Sequence, residues 1–291
     1  MKYGVLDIGG SNIKAAVVDS EDKVLFSVDI PTPSGKTEFA GSLEGIIDRL
    51  KEEAGGIGAL VIGVPGLVDY MQDSVIECPN IKFEIKKPKE DIPVFFANDA
   101  DLALYGEIAL RGIENKSVVL LTLGTGVGGA FSVAGLNPDS FPNSGEIGHM
   151  KIVVNGRECS CSGRGCLEAY VSGSAILSQA KLKISPEIQS VRDVFDLAKN
   201  GDEKASLIVS EMAQMLGVGI ANLIDILGLE YVFLAGQVAK SSHIFMPDVI
   251  ESVEANVFLG KFRNVKIEQS CDIDRIALVG GARFAKRKLK E

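Results

Sequence analysis

The 291-residue chain has no tryptophan, only two histidines and only five cysteines. The missing tryptophan excludes nothing by itself. The cysteine count is odd, and Cys78 and Cys271 stand alone in apolar or mixed surroundings, so a disulfide framework is not expected. No apolar leader is read ahead of Lys2, and the residue types are those of a reducing cytoplasm, the expected location. The longest apolar run, around Val118 to Leu123, is strand-sized and far short of the ~20 residues that span a bilayer. No membrane partner is expected. Basic residues are outnumbered too: 30 Lys and Arg against 39 Asp and Glu give a net charge of −9. That balance argues against a nucleic-acid-binding face, which needs concentrated positive charge. The C-terminal basic cluster, Lys286-Arg287-Lys288-Leu289-Lys290, reads as the cationic last turn of a terminal helix.

The scarce residues are not scattered evenly. His149, Cys159, Cys161 and Cys166 fall within about twenty positions, with Gly163 and Gly165 among them. A Cys3His set is the composition of a closed tetrahedral zinc site, whose role is structural because no position is left open for water. Scattered thiols are the plainer reading, but the third cysteine, the histidine and the turn-forming glycines favour zinc. Glu146 and Glu168 flank the set, so a rigid knot would hold two carboxylates in place to grip a polyhydroxylated ligand.

Length allows two domains of ordinary size, and the pattern repeats at that scale. Tyr3–Ile8 and Ile13–Val18 read as strands around Gly9-Gly10-Ser11. Val118–Leu123 and Val127–Val133 read as strands around Gly124-Thr125-Gly126, and the two stretches align without gaps. A third strand is expected at Lys23–Ile30, an amphipathic helix at Thr37–Glu53, a buried strand at Gly58–Val64, then a looser segment with Asp73, Pro79 and Pro88. Val94–Ala97 is a strand running into a helix at Asn98-Asp99. Helices are expected at Leu167–Lys181, Val191–Lys199, Asp202–Leu227, Met246–Val257 and from Ile273 onward, with a strand at Tyr231–Ala235. The expected domains are 1–110 and 111–272, with 273–291 a helix packing back on the first.

Each glycine turn alone can be a tight hairpin, since glycine supplies positive φ in any turn. As a pair they also suit anion binding: exposed backbone N–H groups form nests able to hold a nucleotide triphosphate. Neither matches a Walker loop or a dinucleotide fingerprint. Asp7, at the end of the first strand, is placed to meet magnesium or its waters. Lys14 beyond the turn is either a phosphate partner or a solvated strand residue. Asn98-Asp99 can be a helix N-cap, or can present a carboxylate that takes the proton of an attacking hydroxyl.

Asp7-Ile8-Gly9-Gly10-Ser11-Asn12-Ile13-Lys14, Asn98-Asp99, Leu123-Gly124-Thr125-Gly126-Val127-Gly128-Gly129, Gly145-Glu146-Ile147-Gly148-His149 and the cysteine knot ending in Glu168 resemble the ROK family (repressors, open reading frames and kinases). The resemblance runs from the first strand to Gly236-Gln237-Val238. It implies a two-domain α/β actin-like ATPase fold, ribonuclease-H-like, with a cleft between the domains. It further implies that Asp99 is the catalytic base, that Asn98 contacts a sugar, and that Glu146, His149 and Glu168 bind sugar hydroxyls. Gly66 would belong to the loop closing over the sugar. Gly9, Gly10 and Ser11, with Gly124, Thr125, Gly126 and Gly128, would hold ATP phosphates, and Gly236 the adenosine side. The chain departs from the family pattern at Ser11, at Ser162 after the second cysteine, and at Ala235-Gly236-Gln237, which has fewer glycines.

Two functions compete: an ATP- and Mg2+-dependent hexose kinase, and a sugar-sensing repressor of the same family. Only six residues precede Asp7, leaving no room for a DNA-reading domain, and Asp99 is present, so the kinase is expected. Glucose is the first expected substrate; N-acetylmannosamine, N-acetylglucosamine, allose and fructose are the alternatives. Determinants against an N-acetyl group are expected in loops 66–80 and 137–144. A homodimer through the second domain is also expected, from the resemblance and from the apolar stretch Met212–Leu227. That stretch reads equally as core.

Overall fold

The computed structural model describes residues 1–290 apart from 80, 82, 142–143, 259–263 and 273–274. The chain forms two compact units: Met1–Glu114 with Asn137–Ser144 and Asp272–Glu291, and Asn115–Leu136 with Gly145–Cys271. This differs from the expected domains in three ways, one being that Asp272 falls in the first unit. Residues 111–114 stay with the first unit, and so does the excursion 137–144, where Asp139 accepts a hydrogen bond from Tyr105 at 2.5 Å and is paired with Arg287.

In the first unit, β1 (Lys2–Ile8), β2 (Asn12–Asp19) and β3 (Val24–Pro31) form an antiparallel meander. After α1 (Lys36–Ala54) the chain adds β4 (Ala59–Val64) parallel to β1 and, later, β7 (Val94–Asn98) parallel to β4, giving the order β3-β2-β1-β4-β7. The period of two in β1 serves two cores. Leu6 and Ile8 pack with Phe39, Ile47 and Leu50 of α1. Tyr3 and Val5 pack with Leu102 of α2 (Asp99–Arg111) and with Leu278 and Phe284 of the C-terminal helix, α8 (Ile276–Lys288). The segment read as loose contains a small hairpin, β5 (Leu67–Asp69) and β6 (Ser74–Glu77). Ile273 lies outside the described residues.

Two glycines let α2 and α8 meet backbone to backbone. A Cβ on Gly106 would stand 1.9 Å from the Ile276 carbonyl oxygen, and one on Gly280 would stand 1.7 Å from that of Leu102. Backbone cannot step aside as a side chain can, so Gly280→Ala has to push the helices apart. The expected cost is about 1–3 kcal/mol or more, the scale of core overpacking, read as a lower midpoint in chemical denaturation.

The second unit repeats the pattern. Strands β8 (Val118–Leu123) and β9 (Val127–Ser132) form the hairpin, and β10 (Tyr231–Ala235) and β11 (Lys266–Gln269) extend it in parallel, in the order β11-β10-β8-β9. The run β9-β8-β10-β11 thus matches β2-β1-β4-β7 of the first unit. Strand β11 has no counterpart among the sequence expectations, because Lys266–Gln269 lacks an apolar run. The helix expected over Leu167–Lys181 is two: α3 (Glu168–Val171) and α4 (Gly173–Lys183). Ser172 is extended at φ −70° and ψ 155° and its hydroxyl accepts the Ala175 N–H at 3.1 Å, so it starts a new helix rather than continuing the old one. Helices α5 (Val191–Lys199), α6 (Glu203–Leu227) and α7 (Ser242–Asn256) complete the unit.

The apolar stretch inside α6 belongs to this unit's own core: Met212, Leu216, Ile220 and Ile224 are buried with Leu167, Phe245 and Leu234. By length and hydropathy α6 is apolar enough to cross a membrane, but most of that stretch is buried inside the protein. Among its large apolar residues Leu207 and Ile226 face outward.

Candidate active site and metal centre

In the first unit the turn after β1 is held by its own backbone. Gly9 N–H donates to the Asn12 carbonyl at 2.8 Å, Thr32 N–H to the Ser11 carbonyl at 2.8 Å, and the Thr32 hydroxyl to the Gly9 carbonyl at 2.7 Å. Gly10 and Ser11 are exposed at its tip. Asp7 is paired across the hairpin with Lys14 and stands beside Gly63, where a Cβ would lie 3.7 Å from its carboxylate. Burial pushes the Asp7 carboxyl up to about 6, and the Lys14 charge opposes the shift.

The strand-to-helix junction separates the two readings of Asn98-Asp99. Asn98 is the N-cap: it is extended, and its Oδ1 accepts the N–H groups of Ala100 at 2.9 Å and Asp101 at 3.1 Å. Its Nδ2 donates to the Gly66 carbonyl at 2.9 Å, which ties the loop after β4 to this junction. Asp99 is the first helical residue, and its Oδ1 accepts the adjacent Ala100 N–H at 2.8 Å. Burial first, then the charge of Asp7, raises the Asp99 carboxyl to about 7. A carboxylate poised near neutrality suits proton abstraction better than a solvated one. Gly66 itself is required by close approach, since a Cβ there would lie 2.1 Å from the Glu77 carbonyl oxygen.

In the second unit Gly124 N–H bonds the Gly126 carbonyl at 3.0 Å, and the Gly124 carbonyl accepts the Gly173 N–H of α4 at 2.8 Å. A Cβ on Gly124 would meet nothing within 4 Å, whereas one on Gly126 would lie 2.6 Å from Glu168 Oε2. Thr125 is exposed at the tip, and Gly128 gives room to the Thr122 hydroxyl. Gly236, at φ +90°, packs on Leu123, whose carbonyl oxygen would lie 2.5 Å from a Cβ there. That glycine is therefore needed for the backbone of β8 and β10 to meet, whatever else it does.

Glu168 joins this turn to the cysteine knot. Its Oε2 accepts the Val127 N–H at 3.0 Å, and its Oε1 accepts the Ser160 hydroxyl at 2.7 Å. Burial pushes its pKa up, but these two bonds and the nearby His149 outweigh it and hold the carboxyl below its usual range. Ser160 carried no sequence signal, being one serine between two cysteines. Glu146 is exposed, and its carbonyl accepts the His149 N–H at 3.0 Å in the short helix Ile147–His149.

The ligand atoms of His149, Cys159, Cys161 and Cys166 all lie within 4.8 Å of one another. Cys161 Sγ and Cys166 Sγ are 3.6 Å apart, as are Cys159 Sγ and His149 Nδ1. Two sulfurs at about 2.3 Å from one tetrahedral zinc would be about 3.7 Å apart, so this donor set fits zinc. Lys151 Nζ stands 2.6 Å from Cys166 Sγ in the space left by Gly163, whose Cβ would also lie 2.6 Å from that nitrogen. The knot is therefore compact, with a cation beside its thiols.

Comparison with known proteins adds to this geometry. A family model described as ROK family matches residues 3–288. A glucokinase of Streptomyces coelicolor is 27% identical over 97% of this chain and 96% of its own. An N-acetyl-D-glucosamine kinase of Haemophilus influenzae is 30% identical over 84% of this chain and 86% of its own. Among solved structures, a ROK family glucokinase of Streptomyces griseus in complex with glucose and AMPPNP superposes with a TM-score of 0.82. Its identity is 26%, covering 99% of this chain and 100% of that one.

Proposed function

The chain belongs to the ROK family, and from that premise we propose that it transfers the γ-phosphoryl group of ATP to a hydroxyl of glucose, giving glucose 6-phosphate. At the coarser level it is an ATP-dependent sugar kinase with the actin-like ATPase fold of the family. The observation that carries the proposal is the division of labour at the α2 junction. Asn98 satisfies the helix end, and Asp99 beside it keeps a carboxylate of raised pKa for another task.

Asp99 accepts the proton of the attacking hydroxyl, and Asn98 and the Gly66 loop hold the sugar beside it. In the second unit Glu146, Glu168 and His149 take further sugar hydroxyls. His149 Nδ1 faces Cys159, which leaves Nε2 for the ligand. Glu168 already accepts from Val127 and Ser160, but a carboxylate offers about four acceptor sites. Asp7 would hold Mg2+, a hard cation that binds through one or two carboxylates and substrate phosphates. When bound it neutralises charge on the phosphates. The Cys3His set would hold a structural zinc, keeping Ser160 and His149 in register with Glu168.

The phosphate role of the second turn is best tested at Gly124, where a side chain meets no protein atom. Gly124→Val is expected to weaken ATP binding at least about tenfold by blocking backbone approach to phosphate, with sugar binding in the absence of nucleotide unchanged in calorimetry. Gly126→Val is the poorer probe, because it also displaces Glu168.

Glucose leads on the relatives named glucokinase; the 30% identity to an N-acetyl-D-glucosamine kinase keeps that sugar in view. In the loops expected to exclude an N-acetyl group, residues 80, 142 and 143 lie outside the described ones. A coupled ATP-consumption assay over hexoses and N-acetylhexosamines decides the matter. Highest kcat/KM on glucose supports the proposal, and ATP consumption with none of them removes it.

A further inference from the structure

One side chain fastens the β5–β6 hairpin to the start of α2, and the reaction scheme above does not use it. Tyr70 follows β5, and its hydroxyl donates to Asp101 Oδ2 at 2.5 Å while accepting the Asn98 N–H at 3.0 Å. Its ring lies 6.0 Å from that of Phe284 on α8. The Asn98 N–H needs such a partner because β7 is the edge of its sheet, paired among the described residues only with β4. Alternate N–H groups of an edge strand point away from the sheet and must be satisfied elsewhere. Two residues earlier, the Phe96 N–H is taken by Asp73 Oδ1 at 2.7 Å. Side chains of the hairpin region thus stand in for a missing neighbouring strand.

The loop is held at both ends. At Gly66 it accepts from Asn98 Nδ2, and at Tyr70 its phenol accepts from the Asn98 backbone. Asp99 sits between Asn98 and Asp101, which the Tyr70 hydroxyl bonds. A phenol has one proton, and giving it to the Asp101 carboxylate turns a lone pair toward the Asn98 N–H.

We propose that Tyr70 is a positioning residue for phosphoryl transfer: its hydroxyl, oriented by Asp101, fixes the Asn98 backbone and so the aim of the Asp99 carboxylate. The proposal rests on the assignment of Asp99 as base. Removing the hydroxyl leaves the Asn98 N–H and a carboxylate without this partner, and a base misplaced by about 1 Å can cost about 10²-fold in rate.

The test is steady-state kinetics of the full chain with MgATP and the best sugar of the panel, alongside thermal unfolding. Tyr70→Phe is expected to lower kcat at least about tenfold while the KM for ATP changes less than about twofold. Asp101→Ala should lower kcat similarly. Asp101→Asn, which keeps an acceptor oxygen for the phenol, should recover most of that loss, and Tyr70→Phe with Asp101→Ala should be little worse than either alone. Wild-type kcat in Tyr70→Phe overturns the proposal. So does a fall in unfolding temperature with no split between kcat and KM, which would make the contact structural only. If Asp99→Asn itself turns over normally, the base assignment has failed; a dead Asp99→Asn beside a fully active Tyr70→Phe removes the positioning role alone.

Discussion

Asp99→Asn is expected to cut turnover by at least about 10²-fold, the usual scale for losing a positioned base, with sugar and ATP affinities close to wild type. Asparagine is isosteric with aspartate and can still accept the Ala100 N–H, so the first turn of α2 keeps its geometry. The cap of the helix is Asn98 and is untouched. Stability should not suffer. Replacing a carboxyl held at about 7 by burial and by Asp7 with a neutral amide removes a strained charge rather than a stabilising one. Turnover measured across the sugar panel, with calorimetry for both ligands, reads the effect. Retained turnover would show that another group takes the proton.

The second large effect is expected at the knot. Cys161→Ser should release the metal, with a loss of zinc affinity beyond the about 10–100-fold typical of removing a ligand's hydrogen-bond partner. Sugar affinity should fall with it, because Glu168 is held through Ser160 and lies 3.5 Å from Cys159. The first unit, with β1 to β7, α2 and α8, does not depend on these residues for its core. Metal analysis of protein purified without chelators is expected to give about one zinc per chain for the wild type and near none for the variant. No zinc in the wild type would remove the metal assignment and leave a cluster of free thiols.

How much of this was legible beforehand varies by residue type. The hairpins on either side of Gly9-Gly10-Ser11 and Gly124-Thr125-Gly126 were readable because β-branched runs around glycine have few alternatives, and their alignment pointed to the repeated sheet. The knot was readable because cysteine and histidine are so rare in this chain. The junction at Asn98-Asp99 was located but not resolved, since both residues are good caps and only the geometry shows which side chain receives the N–H groups. Hairpin β5–β6 was missed: its strands are three and four residues long and are joined by a turn with Asp73 at φ +50°. Ser160 and Tyr70 were missed for a different reason. Each acts through a contact distant in sequence or hidden in a polar loop, and no local pattern marks a hydroxyl that will meet a carboxylate. The break at Ser172 was missed although the apolar spacing changes there: Leu167, Tyr170 and Val171 share one helical face, and Ile176 and Ala180 fall on the opposite one.

The pH dependence of turnover tests the Asp99 assignment most directly. A base works only when deprotonated, so lowering the pH through the Asp99 pKa removes activity, about tenfold per unit once below it. Asp7 repels the Asp99 carboxylate and helps hold that pKa near 7 in the free protein; a cation at Asp7 offsets the repulsion and moves the limb to lower pH. The account therefore predicts a kcat profile that is level above neutrality and falls on the acid side. The limb should be absent from the residual activity of Asp99→Asn. A wild-type profile flat from pH 8 to about pH 5, or the same acid limb persisting in Asp99→Asn, would contradict it.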